Sequence, residues 1–309
     1  LGKRWLKKRL RPVRHWVVYV VALGIRRLVL LLPLDRAIEC GGLLGWLAYF
    51  VLQKQRLRTL RNLQQALPEL ATARQRRQLA REVFRNCGRG VAEGFWLARF
   101  TKALLAERIK IVGAEHLLGG YAHGRGFIGV SAHLGNWELL AAYLARVMGI
   151  SFGVVARELS NPWMNTFLLR QRKETGINVI VRGESGIGIF RRLAKGEGVG
   201  ILADQDTKGE GVFVNFFGQP AYTQTGVAHL CVKTGADIIP LFIVRNDDGL
   251  THTIFVERAL QVERTEDENR DVREITQRFT AIIEDYIRRY PAQWVWFHRR
   301  WRRRPACNE

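Results

Sequence analysis

The stretch Gly126-Phe127-Ile128-Gly129-Val130-Ser131-Ala132-His133-Leu134-Gly135-Asn136-Trp137-Glu138-Leu139-Leu140 decides how the chain is read. A short apolar run at its start reads as a buried strand, and a helix is expected from Trp137 to about Met148. Between the two sit one imidazole and one carboxylate, His133 and Glu138. On a continuous helix these would point about 140° apart. They meet only if the chain bends between them. Gly135 permits a bend, and Asn136 is a good N-cap for the helix after it. Glu138 then falls in the first helical turn, where the macrodipole favours an ionised carboxylate. A carboxylate facing a histidine fixes its tautomer and stabilises the imidazolium, as in the base half of a catalytic triad. With no Ser or Cys beside them, the expected task is taking a proton from a substrate hydroxyl. A structural histidine closing a strand is the competing reading.

Outward from this stretch, the chain alternates. Apolar, β-rich runs recur at 127–131, 152–156, 177–181, 198–203, 238–244 and 251–256. Helical stretches separate most of them, at 136–148, 162–175, 185–195 and about 224–235. This pattern predicts an α/β fold with a mostly parallel central sheet flanked by helices. Asn246-Asp247-Asp248-Gly249 splits the last two runs as a hairpin. Sites in such sheets collect at the carboxyl ends of strands. His133 lies at one such end, and Arg157 at another. Ala203-Asp204-Gln205-Asp206 closes a third. The two carboxylates there suit an acid/base pair, metal ligands or structural hydrogen bonds, but no third carboxylate is placed to complete a metal site.

The chain is 309 residues long and 47% hydrophobic, enough for a sizeable core, with a formal net charge of +21. Such a charge seeks nucleic acid, anionic lipid or an acidic protein. No helix-turn-helix, zinc-finger or RNA-recognition signature is present, so nucleic acid is not the expected partner. Cys40, Cys87, Cys231 and Cys307 lack metal or disulfide spacing and read as inert thiols of a reducing compartment. Residues 1–52 hold a basic run (Lys3, Arg4, Lys7, Lys8, Arg9, Arg11, Arg14) and two apolar runs, from Trp16 to Leu32 and from Gly41 to Leu52. Neither is a clean span of roughly 20 apolar residues. Arg26 and Arg27 interrupt the first, so an apolar helical segment lying in the membrane interface or tilted is expected, against an apolar helix pair within a soluble core. Residues 53–106 read as a polar linker and a helix running to about Phe100, and 107–309 as the α/β core with an Arg/Trp-rich tail. Trp294, Trp296 and Trp301 in that tail suit a membrane interface or single-stranded nucleic acid; the apolar runs favour the membrane.

His133-Leu134-Gly135-Asn136-Trp137-Glu138 resembles the His-x-x-x-x-(Asp/Glu) motif of membrane lipid acyltransferases. In its Glu form it is similar to the lauroyl/myristoyl acyltransferases of lipid A biosynthesis, within the lysophospholipid acyltransferase-like superfamily. Ala203-Asp204-Gln205-Asp206, the following Gly211-Val212-Phe213-Val214-Asn215-Phe216-Phe217-Gly218, Gly235-Ala236-Asp237-Ile238-Ile239-Pro240 and Gln293-Trp294-x-Trp296-x-His298-Arg299-Arg300-Trp301 resemble further blocks of the family in the same order. Arg56-x-x-x-x-Arg61-Asn62-Leu63 resembles an early helical segment. The resemblance covers about residues 15–304. It implies a glycerol-phosphate-acyltransferase-like fold at the cytoplasmic face of the bacterial inner membrane. The implied reaction moves a fatty acyl chain from acyl-acyl carrier protein to a hydroxyl of a lipid A precursor or another glycolipid or phospholipid, without metal or cofactor. His133 would be the base and Glu138 its orienter. Arg157, Arg170, Asp204, Gln205, Asp206 and Asn136 would be substrate-binding. The segment around Arg157, Ala-Arg-Glu-Leu-Ser-Asn-Pro, departs from the Tyr-Arg-Pro-type segment of the enterobacterial enzymes, which leaves the acceptor open. A lipid hydrolase using the same pair on water is the competing enzymatic reading.

Overall fold

The computed structural model describes residues 9–122, 126–181 and 186–305. Lys3, Arg4, Lys7, Lys8 and Cys307, and Ser185 at the start of an expected helix, lie outside them.

Among the described residues, nine strands form two sheets. They are β1 (Ile109–Val112), β2 (Phe127–Ser131), β3 (Phe152–Ala156), β4 (Asn178–Val181), β5 (Gly198–Leu202), β6 (Gly211–Phe216), β7 (Gln219–Gln224), β8 (Asp237–Arg245) and β9 (His252–Val256). The main sheet runs β1-β9-β8-β2-β5-β3-β4. Strands β8, β2, β5, β3 and β4 are mutually parallel, while β9 returns antiparallel to β8 and pairs in parallel with β1. The hairpin turn is the expected one: Asp248 accepts from the N–H groups of Leu250 and Thr251. Strands β6 and β7 form a separate antiparallel ribbon that the apolar runs did not announce.

The helices are α1 (Arg11–Leu31), α2 (Leu34–Val51), α3 (Gln53–Ala66), α4 (Ala73–Trp96), α5 (Lys102–Arg108), α6 (Ala114–Ala122), α7 (Trp137–Arg146), α8 (Pro162–Glu174), α9 (Gly186–Ala194), α10 (Gly226–Thr234) and α11 (Glu268–Arg289). Their starts follow sequence chemistry. Asn136 caps α7 by accepting from Leu139 N–H. Asn161 caps α8, with Pro162 at the first helical position, where its missing N–H costs nothing. Thr72 and Gln75 form a reciprocal capping box on α4.

Two clusters of buried apolar side chains sandwich the sheet. Ile128, Val130, Val199, Ile201 and Phe242 face one way, toward α11 and α4. Phe127, Phe152, Ile239 and Leu241 face the other, toward α7. The stretch read as a linker is part of this core: Leu63 and Ala66 of α3 and Val83 and Phe84 of α4 are buried with the first cluster. Helices α2 and α4 approach so closely that a Cβ on Gly88 would stand 2.1 Å from Gly41 O, which only glycine permits.

No helix among the described residues is long and apolar enough to cross a membrane. Helix α1 still presents Trp16, Val17, Val20, Val21 and Leu28 to solvent, and α2 presents Leu43, Leu44, Leu47 and Val51. Arg26 does not enter that apolar surface; its guanidinium lies over the Phe167 ring of α8. The tail differs from expectation. Trp294 and Trp296 are fully buried, and Arg300 is buried with bonds to Tyr222 O and Thr223 Oγ1. These three are core residues, so their place in the tail reports packing, while Arg299 and Arg302 stay exposed and Trp301 is half-buried.

Candidate active site

The parallel register of β2 and β5 builds the site. Ser131 and Leu202 are partners at the ends of these neighbouring strands. Two residues further on, His133 and Asp204 therefore stand side by side at adjacent carboxyl ends. Adjacent strands lie about 4.8 Å apart, within side-chain reach. His133 Nδ1 donates to Asp204 Oδ1 at 2.8 Å, and His133 N–H donates to Oδ2 at 3.1 Å. Trp294 Nε1–H donates to Oδ2 at 2.7 Å. A carboxylate only accepts, so Nδ1 carries the proton and Nε2 keeps a lone pair. Burial works against the charged form of Asp204, but the neighbouring imidazoles and these N–H donors outweigh it and hold its carboxyl well below the usual range.

The chain bends between His133 and Glu138 as the glycine predicts. Gly135 has φ +58°, and a Cβ there would stand 2.0 Å from Ile243 O. The bend is stitched to the C-terminal segment through Gly135 N–H to Gln293 O and Val295 N–H to His133 O. It does not bring the expected pair into a hydrogen bond. The carboxylate on His133 is that of Asp204, while Glu138, in the first turn of α7, is clamped by Arg172 of α8. Arg172 Nε lies 3.0 Å from Glu138 Oε2 and its terminal nitrogen 2.5 Å from Oε1. Such a two-point clamp fixes the plane of the guanidinium against the carboxylate. His133 and Glu138 nonetheless line the same cavity.

Gln205 and His298 complete the surroundings. Gln205 Nε2 is 2.9 Å from His298 Nε2 and 3.1 and 3.2 Å from the two nitrogens of His133. With Nδ1 protonated, only Nε2 of His133 can accept from this amide, at 3.2 Å, and the shorter contact is the one to His298. Burial brings His298 down to about 4, more than Asp204 can offset, so it stays neutral and accepts from the amide. His133, Asp204 and His298 place ligand atoms within 4.8 Å of one another, a spacing that could hold a metal ion. In the arrangement seen here Asp204 accepts from His133 and Trp294.

The cavity beside His133 has a volume of about 1460 Å³. Its walls near the sheet are apolar, and its mouth carries Arg157, Lys208, Lys233, Arg299 and Arg302. Of the residues expected to meet substrate, Arg157, Gln205 and Asp206 line it. Asp206 pairs there with Arg302 at 3.2 Å. Asn136 does not line it. It is buried, and its amide donates to Glu93 Oε2 at 2.8 Å, so it caps α7 and ties that helix to α4. Arg170 is also off the cavity, exposed and paired with Glu174 one turn along. The spacing of α8 explains why. Asn165, Leu168, Leu169 and Arg172 face the cavity at helical period, and a residue two short of Arg172 points elsewhere. That periodicity was the signal for Arg172. His298 and Trp294 had none beyond the C-terminal block, because their partners are distant in sequence.

Beneath the site lies a second polar cluster. Glu93, Arg245 and His252 are all buried. Arg245 donates to both oxygens of Glu93, at 2.8 and 2.5 Å. Burial opposes ionisation of Glu93, but His252, Arg245 and Asn136 hold its carboxyl below the usual range. Burial lowers His252 to about 4.

Residues 5–303 match the family model described as bacterial lipid A biosynthesis acyltransferase. Two relatives from Escherichia coli, a lipid A biosynthesis palmitoleoyltransferase and a lipid A biosynthesis lauroyltransferase, are each 27% identical, covering 95% and 94% of this chain and 93% of their own. A phosphatidylinositol mannoside acyltransferase of Mycolicibacterium smegmatis is 26% identical over 68% of this chain and 67% of its own. The family match runs through the strand ends that carry His133 and Asp204 and through the segment that returns to cover them, and it shows that this chain belongs to the bacterial lipid A biosynthesis acyltransferases and is an acyltransferase.

Proposed function

We propose that the chain moves a fatty acyl group from an acyl-acyl carrier protein to a hydroxyl of a lipid A precursor or a closely related glycolipid. The observation that carries this reading is the imidazole of His133, backed by a buried carboxylate and opening on an apolar cavity. His133 Nε2 takes the proton of the acceptor hydroxyl. Asp204 holds the tautomer and stabilises the imidazolium that forms. The acceptor oxygen bonds to the thioester carbon and the carbonyl becomes an oxyanion. Arg172 retains N–H groups beyond those given to Glu138, and such a donor contributes about 3 kcal/mol to oxyanion stabilisation. As the intermediate collapses, the carbon–sulfur bond breaks and the thiolate takes the proton from His133. Glu138 fixes the orientation of Arg172 in the cavity wall.

The basic residues at the mouth suit both partners, since an acyl carrier protein is acidic and a lipid A precursor is phosphorylated. The exposed apolar faces of α1 and α2 suit the interface of a membrane, and they support a reading in which the enzyme works at the cytoplasmic face of the bacterial inner membrane. The mycobacterial relative supports a second acceptor, a phosphatidylinositol mannoside.

Purified protein is to be given acyl-acyl carrier protein with lipid A precursor, with phosphatidylinositol mannoside, or with neither, and the lipids read by mass spectrometry. Acylated lipid A precursor supports the proposal, and product on the mannoside alone assigns the second acceptor. Free fatty acid released at full rate without acceptor makes the enzyme a hydrolase and overturns it.

A further inference from the structure

The face of the sheet beneath α7 holds an unfilled slot. Register pairs Ser131 with Leu202, Gly129 with Gly200, and Phe127 with Gly198. Residues two apart along a strand share a face, so these pairs form three rows descending from the catalytic end. The first row lies two residues from His133 and Asp204. The second has no side chains. In the third the Phe127 ring lies over Gly198, where a Cβ would stand 2.3 Å from Phe127 Cζ. Phe127 thus closes the bottom, roughly 13 Å below Ser131 at about 3.3 Å per residue. Leu140 and Leu144 of α7 roof the slot. No polar side chain of these rows lies below Ser131, so the slot accepts hydrocarbon.

We infer that Phe127 and Gly200 set the length of the acyl chain transferred. The inference rests on the acyl-transfer reading above and adds which residues measure the chain. Phe127 is the stop against which the terminal methyl rests. Gly200 is the waist that lets the chain pass. A Cβ at Gly200 would meet nothing nearer than Val154 Cγ1 at 3.6 Å, so alanine fits the fold and its methyl enters the slot. Gly129 differs, because a Cβ there would stand 2.8 Å from Leu241 Cδ1 and force that side chain to move. Gly200 is therefore the position at which the slot narrows without disturbing its walls.

The test gives the full-length protein, Gly200→Ala and Phe127→Leu a mixed ladder of saturated acyl-acyl carrier proteins with lipid A precursor, and reads product chain length by mass spectrometry. Gly200→Ala is expected to shift preference toward shorter chains, with kcat/KM for the longest accepted chain falling about tenfold relative to a shorter one. Phe127→Leu is expected to shift it toward longer chains. Gly200→Ala alone decides if Phe127→Leu does not fold. A folded Gly200→Ala protein that transfers acyl groups with the unmodified length profile overturns the inference. An unmodified protein that transfers none of the ladder overturns instead the reading on which it rests.

Discussion

Asp204 Oδ1 lies 2.8 Å from His133 Nδ1, across 71 positions of sequence. Parallel strand register creates this contact, and the buried carboxylate leaves one imidazole nitrogen available as a base. Asp204→Asn should keep the shape of the site and lose the preference for the Nδ1–H tautomer. Turnover should fall about 10²–10⁴-fold. Steady-state acyl transfer, with circular dichroism confirming the fold, checks this.

Arg172→Lys should not rescue Arg172→Met. A lysine offers a point charge, whereas Glu138 is met by two guanidinium nitrogens. Both variants should lower kcat/KM about 10²–10³-fold, consistent with the loss of one oxyanion donor. Full activity in Arg172→Lys would show that charge alone suffices.

The Glu93–Arg245 pair is buried, so removing one partner strands a charge. Arg245→Met should cost about 3–5 kcal/mol of stability, and the double variant Glu93→Gln/Arg245→Met should recover much of that. Urea unfolding of the three proteins measures it. Because Asn136 donates to Glu93, loss of Glu93 should also loosen the start of α7, seen as faster amide exchange at Leu139.

Stability should depend on pH through His252. Its folded value is lowered to about 4 by burial, against 6.5 for an unperturbed histidine. Between these values the unfolded chain binds a proton that the folded chain refuses, so acid favours unfolding. The contribution is fully present above about pH 6.5 and is lost as pH falls toward 4, at about 1.4 kcal/mol per pH unit for one proton. His252→Gln should flatten the fall in Tm over that window by about one proton's worth. An unchanged slope would show that His252 does not control it.

Much of the fold was legible because apolar runs of strand length alternate with helical ones. Phe127–Ser131 and Phe152–Ala156 are strands with the bounds the pattern gives. The bend at Gly135 and the cap at Asn136 were legible as local chemistry. The partner of His133 was not. Glu138 is near in sequence, but Asp204 becomes adjacent only once β5 inserts between β2 and β3, an order that no local pattern specifies. Arg170 and Arg172 both sit in one helix, and only its cavity-facing stripe separates them. Trp294 and Trp296 looked like surface aromatics because their neighbours in sequence are arginines; tertiary packing buries them.

The most direct measurement compares kcat/KM for His133→Ala, Asp204→Ala and the double variant, with purified acyl-acyl carrier protein and lipid A precursor. If the two side chains act as one unit, the double replacement costs little more than His133→Ala alone. Losses that add in full would contradict the shared role of the pair.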